Sequence, residues 1–236
     1  MCGRYTYMFR WRELVRLLGL VHWPEIELTP RFNVSPTQLA PVARLDSKGQ
    51  REGVMLSWGL RVAPGAPGAT DSTRRINARA ETLGRTPAPR WPRRCLVPTS
   101  GFYEWRTMPG SKTKQPYWIG REDREPYFFA GVWQPAQPGD AADCFAIVTT
   151  TPNPLMGELH DRMPVLVTPD DFSLWLAPEP LSEGDRERLL SPSPMPGFVA
   201  YPVDKAASNS RLDTPDLIRP VEPPPAPPSD PQGNLF

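Results

Sequence analysis

The sequence is low in net charge and in cysteine, and each shortage excludes a class of protein. Its 27 Lys and Arg residues are balanced by 26 Asp and Glu residues, which leaves a net charge of +1. That balance excludes a globally cationic protein that coats DNA, although it allows a local basic groove. Cys2, Cys95 and Cys144 are odd in number and far apart, so they form neither a disulfide framework nor the paired spacing of a zinc site.

Long hydrophobic runs are also missing. No apolar stretch approaches the ~20 residues that a membrane-spanning helix needs, so we expect no membrane partner. The first residues, MCGRYTYMFRWREL, lack the apolar segment of a signal peptide. We therefore expect a cytoplasmic protein.

Proline, in contrast, is abundant. The chain has 33 prolines, well above the usual share of about 5%. They crowd into the end of the chain, PVEPPPAPPSDPQGNLF, which can form neither a helix nor a central strand. We predict one folded domain over residues 1–222 and a disordered, proline-rich tail over residues 223–236. The stretch APGAPGATDSTRR, residues 63–75, is predicted to be a loop within the domain.

Strand patterns outnumber helix patterns. Helices are predicted where apolar residues recur at helical spacing or follow a capping residue, at Phe9–Leu20, Asn77–Leu83, Asp170–Leu176 and Glu183–Leu190. Strands are predicted where β-branched and aromatic residues are bounded by Gly, Pro or Asp, at Leu39–Leu45, Val54–Leu60, Cys95–Trp105, Tyr117–Gly120, Tyr127–Trp133, Cys144–Thr150, Val165–Val167 and Phe198–Val203. Because no β-α-β alternation is visible, these patterns predict a single α+β domain with a mainly antiparallel sheet.

The second residue, Cys2, carries an unusual chemical opportunity. If the initiator Met1 is removed, Cys2 exposes an α-amine and a thiol two carbons apart. Such an aminothiol condenses with an aldehyde through its amine, and its thiol then closes a five-membered thiazolidine on the same carbon. The second step is intramolecular and gains a large effective molarity. The alternative is that Cys2 has no role beyond its position near the start of the chain.

Two further motifs contain polar groups in settings that suit chemistry. Asn77 and Arg79, in INARAET, can point an amide and a cation at one phosphate-bearing ligand, or can merely begin a helix. Glu104, in SGFYEW, lies between aromatic residues in a predicted strand. It either faces solvent by ordinary alternation or is buried as a proton shuttle with a raised pKa.

A third motif, LHDRMP, contains His160, which can transfer protons near neutral pH or lie on a surface loop. A basic stretch begins at the end of the 63–75 loop and is interleaved with Trp91. Arginine–aromatic mixtures suit a groove for single-stranded nucleic acid, although a solvated basic loop has the same pattern. The arginines concerned are Arg74, Arg75, Arg79, Arg85, Arg90, Arg93 and Arg94.

Taken together, the short motifs resemble one family. In chain order they read MCGRY, RFNVSPTQ, LSWGL, INARAET, RCLVPTSGFYEW, FAIVTTTPN, LHDRMPV and SNSRLDTPDLI. This order is similar to that of the SRAP family, the SOS response-associated peptidase domains that are also described as abasic-site processing proteins. The resemblance runs from residue 2 to about residue 222, and it implies a compact α+β domain with a barrel-like antiparallel sheet and a DNA-binding cleft.

The resemblance implies a function and a set of roles. It implies that Cys2 captures the ring-opened aldehyde of an abasic site in single-stranded DNA as a stable thiazolidine crosslink. It implies that Asn77 holds the opened deoxyribose, that Glu104 assists Schiff-base formation and proton transfer, and that His160 helps ring opening and reversal. DNA contacts are implied at Arg4, Arg79 and Arg162 for phosphates and at Pro36 and Trp58 for bases. No metal or organic cofactor is implied.

Two other functions remain open on the sequence. One is a cysteine-nucleophile peptidase that uses Cys2 and His160, in line with the family's older name. The other is a non-enzymatic adaptor that binds single-stranded DNA. The crosslinking reaction itself allows a lyase side activity, because a Schiff base at C1′ permits β-elimination. In either DNA-binding reading we expect the cytoplasmic protein to associate with the nucleoid.

Two features depart from the family pattern. SNSRLD, residues 208–213, replaces an Asn-x-x-Asn-type run. The chain ends in QGNLF, which resembles the Q-x-x-L-F peptides that dock on the bacterial sliding clamp. We therefore hypothesise a clamp contact through Gln232, Leu235 and Phe236 at the end of a flexible spacer.

Overall fold

A computed structural model of the protein describes residues 2–62, 73–83, 93–108, 113–137 and 140–222. Within these ranges the helices are α1 (Trp11–Leu18), α2 (Ala80–Leu83), α3 (Pro154–Gly157), α4 (Phe172–Leu176) and α5 (Glu183–Leu190), with short 3₁₀ turns at Pro169–Asp171, Lys205–Ser208 and Pro215–Ile218. The strands are β1 (Tyr5–Tyr7), β2 (Arg31–Val34), β3 (Leu39–Leu45), β4 (Arg51–Trp58), β5 (Leu60–Arg61), β6 (Arg74–Arg75), β7 (Asn77–Arg79), β8 (Arg93–Thr99), β9 (Gly101–Thr107), β10 (Lys114–Arg121), β11 (Tyr127–Gln134), β12 (Cys144–Thr150), β13 (Met163–Pro164) and β14 (Phe198–Pro202).

The larger sheet closes on itself. Its strands follow the order β11-β8-β3-β4-β12-β13, and β12 pairs back with β11, so five strands form a ring. Most neighbours are antiparallel, but β12 runs parallel to β4 and to β7. Large apolar side chains fill the interior of the fold, because alternate residues of each strand point to one face. Among them Tyr5, Trp58, Phe129 and Phe145 are fully buried.

The second sheet is antiparallel throughout and has the order β14-β10-β9-β1-β2. The chain passes from the first sheet to the second at Ser100, whose N–H donates to the backbone oxygen of Thr6 at 2.9 Å. At the next residue, Gly101, a Cβ atom would lie 2.2 Å from the ring of Trp118. Only glycine leaves room for this ring. The crossing at this point brings β9 beside β1, near the start of the chain.

The predicted α+β class with mainly antiparallel sheets is confirmed, and the barrel-like sheet is more accurately a ring. Leu39–Leu45, Cys144–Thr150 and Glu183–Leu190 have the predicted type and bounds. The stretch predicted as one strand over Cys95–Trp105 is divided at Ser100 between β8 and β9. Local patterning could not show the division, because both halves have the same strand composition.

Two other predicted elements are wrong in part. Of the helix predicted over Asn77–Leu83, only Ala80–Leu83 is helical, because residues 77–79 pair with β12. The strand predicted at Val165–Val167 lies instead at Met163–Pro164, with an isolated bridge at Leu166. No helix in the described ranges is long and apolar enough to cross a membrane. The 223–236 tail and most of the 63–75 loop lie outside the described residues, so the predicted domain boundary stays a prediction.

Candidate active site around Cys2

Cys2 lies just before β1 and is buried, with 1% of its surface exposed. Its Sγ lies 3.8 Å from the backbone oxygen of Arg4. Burial raises the pKa of the thiol well above its ordinary value, and the nearby negative charge of Glu104 raises it further. At neutral pH the sulfur is therefore a thiol, and a base must remove its proton before it can act as a nucleophile.

Asn77 is the residue that the structure brings directly onto Cys2. Its Nδ2 donates to the backbone oxygen of Cys2 at 3.0 Å. Parallel pairing of β7 with β12 sets Asn77 opposite Ile147, which fixes the position of the amide along the sheet. The amide oxygen, Oδ1, is buried and accepts no hydrogen bond from any described residue. Since buried polar atoms are nearly always paired, this oxygen is suited to accept a hydrogen bond from a hydroxyl of a bound ligand.

Glu104 is buried rather than outward-facing, with only 2% of its surface exposed. It lies in β9 opposite Tyr117, among apolar and aromatic neighbours. Burial raises the pKa of its carboxyl from 4.5 to about 7, against a smaller opposing effect of the positive amino terminus. A carboxyl with such a pKa can both donate and accept a proton at neutral pH, as a general acid–base catalyst must.

His160 lies in the loop before β13, with a quarter of its side chain exposed. Its Nδ1 accepts the backbone N–H of Arg162 at 3.0 Å, and Oδ1 of Asp161 lies 2.6 Å from the same nitrogen. Burial lowers the pKa of the imidazole below its ordinary value of 6.5. His160 is therefore neutral at pH 7 and carries one exchangeable proton.

The predicted DNA-contacting residues differ in accessibility. Arg79 is exposed and Pro36 is half-buried, in the turn between β2 and β3. Arg4 is half-buried and donates to Oδ1 of Asn33 at 2.8 Å and to the backbone oxygen of Ala207 at 3.1 Å. Its donors are therefore used within the protein, where they join the start of the chain to β2 and to the 3₁₀ turn at Lys205–Ser208.

Arg162 is similarly engaged within the protein. Its side chain is 12% exposed and forms a bidentate ion pair with Glu81, with Nη1–Oε1 at 2.6 Å and Nη2–Oε2 at 3.0 Å. Nη2 also donates to the backbone oxygen of Thr149. Because that fork of donors is occupied, a phosphate could reach it only by displacing the carboxylate.

The prediction that the Trp58 ring contacts DNA bases does not fit the structure. Trp58 is fully buried, its ring lies 5.2 Å from that of Tyr5, and it stacks with Phe145 at 6.3 Å. Its Nε1 donates to the backbone oxygen of Ile76 at 2.8 Å. A ring with no exposed surface cannot stack on a base, so Trp58 instead supports the start of β7, next to Asn77.

The arginines of the basic stretch also differ in accessibility. Arg94 is buried and donates to backbone oxygens after α4, among them that of Glu179 at 2.7 Å. Arg74 pairs with Asp140 at 3.1 Å, whereas Arg75 is exposed. Arg85, Arg90 and Trp91 lie outside the described residues. Arg94 therefore has a structural role, which the basic pattern of the sequence does not indicate.

Sequence reasoning overlooked two residues that hold the site together. Glu81 follows Asn77 and Arg79 in INARAET and pairs with Arg162. Asn33, in RFNVSPTQ, is fully buried and donates to the backbone oxygens of Asn209 at 2.9 Å and Leu212 at 2.8 Å. The SNSRLD segment is thus bound to β2 beside Arg4. An Asn between Phe32 and Val34 was the available signal, since an Asn among apolar residues is seldom buried without a partner.

The fold and the site define a single-domain β-sheet protein that holds a cysteine near its amino terminus against an amide and a protonatable carboxyl. The model of the family described as SOS response associated peptidase (SRAP) matches residues 1–210. The chain belongs to this family, as its motifs predicted.

Several known proteins are similar over nearly the whole chain. The abasic site processing protein YoqW of Bacillus subtilis is 34% identical over 225 residues, which cover 92% of this chain and 99% of that protein. The abasic site processing protein YedK of Escherichia coli is 31% identical and covers 94% of this chain and 100% of its own length. A crystal structure from Bacteroides thetaiotaomicron matches with a TM-score of 0.73 at 23% identity, over 93% of this chain and 100% of that chain, and supports the fold.

Proposed function

We propose that this protein processes abasic sites in single-stranded DNA by forming a covalent thiazolidine crosslink through Cys2, after Met1 has been removed. The observation that carries the proposal is the contact of Asn77 with Cys2, at 3.0 Å, beside a buried Glu104 whose pKa lies at about 7. The names of YoqW and YedK, both abasic site processing proteins, support the same substrate.

The reaction begins at the amine of Cys2. The neutral amine attacks C1′ of the open-chain aldehyde and forms a carbinolamine, which loses water to give a Schiff base. The thiol then loses its proton, and its sulfur adds to the same carbon to close the thiazolidine ring. One water molecule is released overall, and no electrons are gained or lost. Because the ring closure is intramolecular, it competes with β-elimination, which would cut the strand.

Glu104 is the proton carrier in this scheme. As a carboxylic acid it donates to the departing hydroxyl of the carbinolamine, and as a carboxylate it accepts the proton of the thiol. The raised pKa of Cys2 makes the second transfer necessary, and the pKa of Glu104, about 7, makes both forms available. The buried Oδ1 of Asn77, which accepts no hydrogen bond within the described part of the chain, accepts one from a hydroxyl of the opened sugar.

The remaining residues position the strand and the leaving groups. Arg79, exposed beside Asn77, supplies a cation for a flanking phosphate, and the half-buried Pro36 lies against a base. Neutral His160 assists ring opening of the sugar and reversal of the crosslink. Arg4 contacts phosphate only after exchanging a partner within the protein, whereas Arg162 stays paired with Glu81 in this scheme.

The peptidase alternative requires an activated thiolate. Cysteine peptidases lower the pKa of the nucleophile through a neighbouring cation. Here burial and Glu104 raise it, which favours capture of an aldehyde over hydrolysis of peptides in trans. The adaptor alternative depends on a basic surface for DNA, to which Arg94 was expected to contribute. The donors of Arg94 are used inside the fold, so this residue does not support the adaptor alternative.

The test is intact-protein mass before and after incubation with a single-stranded oligonucleotide that has one abasic site. We expect the purified protein to lack Met1 and to form a heat-stable adduct that maps to Cys2. Cys2→Ala should retain an amine but form no stable adduct, and increased strand nicking by this variant would agree with the mechanism. The matched control is Cys144→Ala, at another buried free cysteine, which should crosslink normally. A stable adduct from Cys2→Ala would overturn the proposal.

We also propose that the tail contacts the sliding clamp through Gln232, Leu235 and Phe236. Support comes from the resemblance of QGNLF to clamp-binding peptides and from the proline-rich spacer before it. Clamp should be recovered in a pull-down with the full chain and not with a chain that lacks residues 232–236. Equal recovery would remove the idea.

A further inference from the structure

An ion pair spans three adjacent strands next to the candidate site. Thr149 in β12 lies opposite Arg79 of β7 on one side and opposite Pro164 of β13 on the other. Arg162 precedes β13, and Glu81 follows β7. The Arg162 side chain therefore crosses the end of β12, donates to the backbone oxygen of Thr149, and meets the Glu81 carboxylate on the far side. We call this arrangement the Glu81–Arg162 clamp.

The clamp holds Arg162 in a defined position. Its two Nη atoms bind both carboxylate oxygens of Glu81, and bidentate pairs of this kind fix orientation as well as distance. The remaining nitrogen of the fork, Nε, is buried and meets no acceptor among the described residues. A guanidinium that is 12% exposed and held on these sides cannot rotate freely, so the backbone of Arg162 is held with it.

The backbone of Arg162 contacts the imidazole of His160. Its N–H points at Nδ1 of the imidazole from 3.0 Å, which requires that nitrogen to be an acceptor. Oδ1 of Asp161 lies 2.6 Å from the same nitrogen, and a carboxylate there requires the opposite, an Nδ1–H donor. A neutral imidazole has one proton, so the two partners compete for the two tautomers.

We propose that Glu81 is a positioning residue for His160: by holding Arg162, it keeps Nδ1 of the imidazole as an acceptor and leaves the proton on Nε2. His160 is then a neutral Nε2–H donor that faces its substrate with a fixed polarity. When the clamp loosens, the Arg162 N–H moves away and Nδ1–H donates to Asp161 instead. The catalytic consequence rests on the proposed function, whereas the tautomer itself does not.

The tautomer can be read directly, because the chain has only two histidines. In protein labelled with nitrogen-15 at the imidazoles, the ring nitrogens of His22 and His160 should give two resolvable sets of shifts at pH 8, where neutral imidazole dominates. We expect the Nε2–H tautomer at His160 in the natural chain. Glu81→Gln should shift its tautomer ratio about tenfold toward Nδ1–H, the size expected when one directional hydrogen bond is weakened.

Controls separate this effect from general damage. His22 should be unchanged in Glu81→Gln. Glu27→Gln removes a carboxylate from an exposed pair with Arg10 and should leave His160 unchanged. Glu81→Asp, which keeps the charge, should shift the ratio less than Glu81→Gln, and it serves as the second variant should glutamine destabilise the fold. An unchanged ratio in both Glu81 variants, or Nδ1–H already dominant in the natural chain, would overturn the inference.

Crosslinking kinetics complete the test. Glu81→Gln should slow by about tenfold the same step, crosslink formation or release, that His160→Ala slows. The half-saturating DNA concentration should stay unchanged within about twofold. In a His160→Ala background it should add less than about twofold, since Glu81 acts through His160. Tighter DNA binding by Glu81→Gln would instead mean that Glu81 competes with phosphate for Arg162 and would overturn the positioning role. A natural chain that forms no adduct would end the proposed function, while the tautomer measurement would still decide this inference.

Discussion

Replacing Glu104 with glutamine should stabilise the folded protein above pH 7 and should greatly slow crosslinking. Glu104 is 2% exposed, and burial raises the pKa of its carboxyl from 4.5 to about 7. Below pH 4.5 the group is protonated in both the folded and the unfolded chain and has no net effect. As the pH rises from 4.5 to 7 the unfolded chain ionises first, so the folded state loses stability at about 1.4 kcal/mol for each pH unit.

Above pH 7 that loss is complete and amounts to about 3 kcal/mol, a large share of the 5–15 kcal/mol that a domain of this kind has. Glutamine has the same shape and no charge, so Glu104→Gln does not incur this loss. We expect the variant to be more stable than the natural protein by about 3 kcal/mol at pH 8 and by close to nothing at pH 4.5. Its crosslinking rate should fall at least about 100-fold, the usual contribution of a general acid–base group.

The assay is urea unfolding at a series of pH values, together with crosslinking rates in the same buffers. The natural protein's rate should change steeply near pH 7, and this inflection should disappear in Glu104→Gln. The exposed Glu27→Gln serves as the matched control and should show no pH-dependent gain. A stability difference between Glu104→Gln and the natural protein that is the same at pH 5 and pH 8 would refute the buried, protonatable carboxyl.

Two further variants test the neighbourhood of the site and the basic stretch. Asn77→Ala removes the 3.0 Å hydrogen bond to the backbone of Cys2 and should slow crosslinking at least about tenfold while costing only about 1 kcal/mol in urea unfolding; an unchanged rate would remove Asn77 from the site. Arg94→Met leaves three backbone oxygens, one in α4 and two after it, without their donor and should cost about 3 kcal/mol, yet leave the salt dependence of single-stranded DNA binding unchanged. A salt slope that falls by about 1 would instead make Arg94 a phosphate contact.

Local sequence patterns were sufficient for elements whose neighbours agree with them. The strand at Cys144–Thr150 and the helix at Glu183–Leu190 have the residue types and caps that their structures need, so propensity and tertiary contacts favour the same result. The collinear motifs were likewise sufficient for the family, because eight short patterns in one order are far more specific than any one of them.

Where long-range pairing opposes a local pattern, the pattern fails. Asn77–Arg79 begins a stretch of good helix formers, yet these residues form a strand because β12, about 70 residues later, supplies their hydrogen-bond partners. The same pairing places the amide of Asn77 on Cys2 and supports β7 on the indole of Trp58. The site therefore depends on a contact that no local window contains.

The sequence by itself determined the candidate nucleophile, the family and the strand-rich class, since these follow from residue identity and order. Only the tertiary structure decided which side chains are buried, because burial depends on neighbours that are distant along the chain. It turned Glu104 inward and so raised its pKa. It also buried Trp58, which the family resemblance had assigned to DNA, and Arg94, which the basic pattern had assigned to it. It also joined Glu81 to Arg162 across β12, where charges 81 residues apart meet because three strands lie side by side.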